Sequence, residues 1–165
     1  MVNFVKKLII RFFMKRLFSI LCLCALMISC GSDETPAPTL VGKWRFAGYL
    51  VENKLDVFNL AFPAYFVTLE LTDKQTSGVY EATGQAPINT YSATYTYNAA
   101  AGQQGAMTVK LGTITQLAGP SDAINYETKY LERLQKASRF DISSPKKLFI
   151  YLSSPQGEVL VYEKL

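Results

Sequence analysis

The chain of 165 residues carries 17 Lys and Arg against 13 Asp and Glu, three Cys and no His, for a net charge of +4 and a pI near 8.9. Without an imidazole, Ser-His-Asp triads, Cys-His nucleophile pairs and His-based metal sites are excluded. The positive balance is local: five basic residues and no acidic ones fall within 1–29, and the remainder holds 12 basic and 13 acidic residues, a net of −1. Nucleic-acid binding therefore loses its main electrostatic support.

Lys6, Lys7, Arg11, Lys15 and Arg16 precede an uncharged run from Leu17 to Ser29, and Cys30 follows. A cationic segment, an apolar segment and a small residue, in that order, make a secretory signal. The run of 13 residues reaches only roughly 20 Å as a helix, short of the ~30 Å hydrocarbon core, so it reads as a signal peptide and not as a permanent span. Met14-Lys15-Arg16 also reads as a start. Leu26-Met27-Ile28-Ser29-Cys30 resembles a lipobox, with Met27 where Leu is usual and Leu26 one place further back. The resemblance implies cleavage before Cys30, thioether diacylation of its sulfur and N-acylation. Lipidation at Cys30 would hold the protein at the outer membrane, since more than one acyl chain gives stable anchoring. Cys22 and Cys24 leave with the signal, so no intramolecular disulfide can form in the mature chain. Asp33-Glu34 resembles the surface-export signal of Bacteroidetes-type lipoproteins. The periplasmic and the surface-exposed placement both stay open. Thr35-Pro36-Ala37-Pro38-Thr39 completes a Pro-spaced tether over 30–39.

Residues 40–165 are one domain of ordinary size. Leu40, Gly42, Trp44, Phe46 and Leu50 alternate with Lys43, Arg45 and Tyr49, which predicts a half-buried strand with Trp44 in the core. The stretch 52–63 keeps neither period and reads as a tucked connection more than as a binding lip. Tyr65, Val67, Leu69 and Leu71 mark a second strand. Asp73–Gly78 is a turn, and Val79–Thr83 returns as a hairpin arm before a break at 84–87. Thr90–Tyr97 alternates strictly, with Tyr91, Ala93, Tyr95 and Tyr97 on one face. Such a stripe can hold a sugar or another flat ligand, but cross-strand packing is the commoner use. Asn98–Gly105 is a small-residue loop, and Met107, Val109 and Leu111 mark the next strand.

A helix is expected from Ser121, as cap, to about Lys136. Asp122 sits at its positive end. Ala123, Glu127, Tyr130, Leu131, Leu134 and Ala137 share its inner face. Lys129, Glu132, Arg133 and Lys136 lie outside, with Glu132 and Lys136 placed as a supporting pair. Strands Ser138–Ile142, Lys147–Leu152 and Val159–Lys164 close the chain, the last two joined by a turn over Ser153–Gly157. The fold class is mainly β, with one helix: a small antiparallel β-barrel or curved sheet of about eight strands, the helix preceding the last three.

This order resembles the META domain, the fold of HslJ-like envelope proteins. The residues that carry the resemblance are Leu40-x-Gly42-x-Trp44, Asn89-x-Tyr91-x-Ala93-x-Tyr95, Ile114-Thr115, Glu127-x-x-Tyr130 with Leu134 and Ala137, Phe140, Leu148-x-Ile150-x-Leu152, Gly157 and Leu160–Tyr162. The family often places a cysteine before that Asn and another after the Thr segment. Here those places hold Ile88 and Leu117-Ala118-Gly119. The resemblance implies a compartment and a fold, with loose links to envelope stress, and no agreed activity. Gly42-Lys43-Trp44 also resembles the opening of lipocalins, which carry small apolar ligands. A lipocalin, however, places its helix after eight strands.

Three functions follow. The first is a non-catalytic envelope lipoprotein, a binding or interaction module for a protein or small molecule, held to the membrane by its lipid and needing no cofactor or metal. The second is a lipocalin-like carrier. The third, an enzyme using a carboxylate pair, is set aside because no motif ties Glu70, Glu81 and Glu127 together.

Overall fold

The computed structural model describes residues 39–57, 65–100 and 103–165. The expected signal peptide, Cys30 and the tether as far as residue 38 lie outside the described residues, as do 58–63 of the tucked connection. The described residues form nine strands and one helix: β1 (Gly42–Val51), β2 (Lys54–Val57), β3 (Thr68–Thr76), β4 (Val79–Gln85), β5 (Thr90–Ala100), β6 (Gln104–Ile114), α1 (Ser121–Leu134), β7 (Ala137–Ser144), β8 (Lys147–Leu152) and β9 (Val159–Lys164). Each of β3 to β8 pairs antiparallel with its successor. β1 pairs with both β3 and β9, so eight strands close into a barrel. Closure removes the unpaired edges that an open sheet would leave. β2 is a short arm: it takes the upper half of β1, at Gly48–Val51, on the edge where the lower half, Gly42–Arg45, meets β3.

Alternation makes the core, and one exception is informative. Trp44 and Phe46 point inward as expected, at 0% and 3% exposure. The indole N–H of Trp44 donates to the Leu40 carbonyl at 2.9 Å. Beyond them the expectation fails: Tyr49 is buried and Leu50 only partly so. The β1–β9 ladder slips between Phe46 and Gly48. An extra residue at such a bulge moves every later side chain to the opposite face. Tyr49 therefore enters the barrel, where it packs edge-on against Phe46 at 5.0 Å between ring centroids.

Two expected connections are shorter in the structure. β3 runs to Thr76 and β4 starts at Val79, so the turn is Ser77-Gly78, with φ of 53° and 81°. Positive φ at both central residues gives the hairpin turn whose twist matches the strands. The expected loop Asn98–Gly105 is largely strand: β5 continues to Ala100 and β6 begins at Gln104. Ala99 pairs with Gly105 there. Small residues extend a strand as well as they make a loop when the ladder supplies their hydrogen bonds.

The helix also departs from expectation at its ends. The cap position belongs to Pro120, and no side chain caps the helix; Ser121 is its first residue. The helix stops at Leu134, before Lys136, and among the described residues no ion pair joins Glu132 to Lys136. Its inner face holds Ala123, Glu127, Tyr130, Leu131 and Leu134 as expected, all buried, whereas Ala137, expected on the same face, is the first residue of β7. Polar bonds pin it at two places on one end of the barrel, the β4–β5 turn through Glu127 and the β8–β9 turn through Arg133. The helix thus lies across that opening, and Tyr130 reaches inward beside Phe46, with 5.2 Å between centroids.

Candidate functional site

Beneath the helix two polar systems cross the core. The first begins with Glu127, which is 6% exposed. Its Oε2 accepts from the backbone N–H of Ile88 and of Asn89, each at 2.9 Å, and its Oε1 accepts from Asn89 Nδ2 at 2.6 Å. Asn89 Oδ1 in turn accepts from Thr115 Oγ1 at 3.0 Å and from Leu117 N–H at 2.8 Å. One carboxylate and one amide thereby hold the β4–β5 turn, the segment after β6 and the helix together. A buried carboxylate needs such partners, because leaving it unpaired would cost several kcal/mol. A cleft of about 610 Å³ opens beside this staple, walled by Leu111, Ile114, Leu117, Ile124 and Leu131.

The second system is a row of phenols. Tyr91 donates to the Thr68 carbonyl at 2.9 Å; its hydroxyl lies 2.9 Å from that of Tyr130, which lies 3.1 Å from that of Tyr162. Only one proton direction fits. A carbonyl can only accept, so Tyr91 spends its proton on Thr68 and must accept from Tyr130, which accepts from Tyr162. Burial pushes all three phenols well above the usual tyrosine range, so they stay protonated. Gly84 makes room for the row. A Cβ at this position would lie 2.3 Å from the Thr68 carbonyl oxygen and from the Tyr91 ring.

The direction of this row sets a graded prediction. Tyr91→Phe strands both the Thr68 carbonyl and the Tyr130 proton and should cost about 2 kcal/mol, whereas Tyr162→Phe removes only a donor to Tyr130 and should cost under about 1 kcal/mol, with Tyr130→Phe between them. Urea unfolding of the three variants checks the order. Equal costs, or the reverse order, would refute the assigned direction.

The tyrosine stripe of β5 is used for packing. Tyr95 stacks on Tyr80 at 5.2 Å and on Tyr97 at 5.9 Å, and Tyr97 meets Phe140 edge-on at 6.0 Å. Tyr95 donates to the Thr72 carbonyl at 2.6 Å, and burial raises its pKa. Of the carboxylates weighed for catalysis, Glu70 and Glu81 sit on exposed positions of β3 and β4, while Glu127 is buried under the helix with both oxygens already hydrogen-bonded. The structure does not bring the three into one site. It does join a pair with no signal in the sequence. Arg133, expected in solvent, turns to Glu158 in the β8–β9 turn, Nε to Oε1 at 2.7 Å, with side-chain exposures of 20% and 7%. Twenty-five residues separate the two, and no local spacing rule connects positions so far apart. On the outer wall the cross-strand pair of Arg45 with Glu163, at 2.8 Å, is half exposed and contributes little.

Comparison with known proteins places these features. The family model described as META domain matches residues 61–164. A solved structure described as the NMR structure of the protein from Burkholderia xenovorans is similar to this chain, with a TM-score of 0.53 and 20% identity over 79% of this chain and 91% of that one. At that identity the likeness concerns the fold alone. No curated protein matches.

Proposed function

The chain belongs to the META domain family, and from that premise we propose that it is a non-catalytic lipoprotein of the cell envelope, anchored at the outer membrane through Cys30, whose barrel is a binding or interaction module. The observation that carries the anchor is the order of residues before Cys30: five cations, an uncharged run and Ser29, with Met27 at the lipobox leucine place and Leu26 one further back. Supporting the module is the way the barrel is filled. Trp44, Tyr95, Tyr130, Phe140 and Tyr162 are each at or below 1% exposure. A carrier of lipocalin type needs space where these rings stand, so the outer surface and the helix-covered end are the places left for a partner. The carboxylates that catalysis would need are apart or already bonded, which supports a binding role.

The test follows the sulfur. In cells, the wild-type chain should incorporate palmitate, be processed in a globomycin-sensitive way and fractionate with membranes. Cys30→Ala should abolish both the labelling and the globomycin-sensitive processing. Palmitate labelling or such processing retained by Cys30→Ala would overturn the anchor.

A further inference from the structure

A second cleft, of about 580 Å³, opens where the β1–β2 hairpin, the outer flank of α1 and the β8–β9 turn meet. Tyr49, Asn53, Asp56, Lys129, Arg133 and Glu158 line it. Two of these residues bring buried polar atoms to its wall. Glu158, 6% exposed, gives Oε1 to Arg133 but leaves Oε2 without a hydrogen-bond partner; the hydroxyl of Tyr49, 2% exposed, interacts with the side chain of Tyr126. Tyr126 stands beside Tyr49, with 6.1 Å between ring centroids. The cations Lys129 and Arg133 lie over the Tyr49 ring at 5.5 and 5.1 Å.

Folded proteins rarely leave buried polar atoms unanswered. Glu158 Oε2, in the wall of this cleft, defines what would complete it, and it needs a donor. The Tyr49 hydroxyl, a neutral phenol beside Tyr126, has two lone pairs and can take a further bond. A hydroxyl group answers both, because it donates and accepts at once. A phosphate or carboxylate would suit Lys129 and Arg133 but would be repelled by Glu158 and Asp56. An ammonium meets the opposite difficulty. The mixed signs around the cleft therefore favour a neutral ligand with several hydroxyls, and its volume lies in the ~300–1,000 Å³ range of small-molecule sites.

The geometry points to a binding site for a neutral saccharide of one or two rings at this helix-covered end of the barrel. The inference rests on reading the domain as a binding module and is independent of the lipid at Cys30.

Calorimetric titration of the full chain, purified from membranes in an amine-oxide detergent that carries no sugar, tests it. The probes are disaccharides built on glucose, galactose, mannose and N-acetylglucosamine, with glycine and inorganic phosphate as comparators. At least one disaccharide should saturate with a Kd of about 1 mM or tighter. Tyr49→Phe, which keeps the ring and its packing, and Asn53→Gly, which suits the φ of 63° in the hairpin turn, should each weaken that binding about tenfold. The site is overturned if no disaccharide binds, which would leave a bridging water as the completing group. It is also overturned if only glycine or phosphate binds, or if both variants bind as the wild type does. Mass spectrometry of residue 30 in the same preparation reads the anchor separately, so a failed titration and a missing lipid are told apart.

Discussion

Glu127→Gln should lower stability by about 2 kcal/mol or more, although the change alters neither the volume nor the shape of the side chain. The reason is the fixed polarity of the staple. Leu117 N–H is a donor and cannot be otherwise, so the Asn89 oxygen must face it, and the Asn89 amide nitrogen must face Glu127 Oε1. On the other side, the N–H groups of Ile88 and Asn89 both aim at Oε2. Position 127 must therefore accept at both ends. A glutamine accepts at one. Whichever way its amide turns, an NH₂ meets a donor, and flipping Asn89 to relieve this would set an NH₂ against Leu117 N–H and take the acceptor from Thr115. Glu127→Ala should be worse, about 3–4 kcal/mol, because it strands three donors and opens a cavity. Urea unfolding at unchanged m-value measures both. A glutamine variant as stable as wild type would mean that Asn89 is free to turn, and the polarity argument would fall.

The same staple shows how far the sequence could be read. Asn89, Thr115 and Glu127 are three separate pieces of the resemblance, far apart in the chain. The structure makes them one object, because Asn89 bonds to both Glu127 and Thr115. Strand periodicity puts Trp44 in the core with Phe46 on its face, and sets Tyr91 and Tyr95 on one face of β5; all four are buried. Helical periodicity placed the inner face of α1 correctly. What stayed illegible was non-local or a matter of a single residue. Tyr49 was assigned to the outer face because an alternating pattern carries no mark of where a bulge inserts its extra residue. Arg133 was assigned to solvent because its partner, Glu158, is brought near only when the barrel closes through β9. The second candidate cleft depends on both residues, so it could not have been found before the fold was known.

Joining Ile88 and Gly119 by a disulfide should stabilise the fold, and the expectation comes from a missing side chain. A Cβ built on Gly119 would lie 2.5 Å from Ile88 Cδ1, 2.9 Å from Cγ1 and 3.3 Å from Cγ2. The Ile88 side chain thus occupies the space over Gly119, in the two segments where the family often has cysteines. The Ile88 Cβ carries both of those γ carbons, so the two Cβ atoms would stand about 4 Å apart, close to the ~3.8 Å usual across a disulfide. Gly119 does not require a positive φ, so a cysteine meets no backbone strain there. The bridge would close a loop of about 30 residues, for which chain entropy gives roughly 3.5 kcal/mol at most. Loss of the Ile88 packing opposes it by about 1–2 kcal/mol, present in oxidised and reduced forms alike. Ile88→Cys combined with Gly119→Cys, with Cys22, Cys24 and Cys30 all changed to Ala, should oxidise readily and lose 2 Da by mass spectrometry. The oxidised form should exceed its own reduced form by about 3 kcal/mol in urea unfolding. Comparing the two redox states of one chain isolates the bridge from the cost of the substitutions. If the thiols stay free under oxidant, the β4–β5 turn and the segment before α1 are not as close as the crowding of Ile88 on Gly119 requires. In that event the Asn89 staple, which spans the same two segments, would be in question with it.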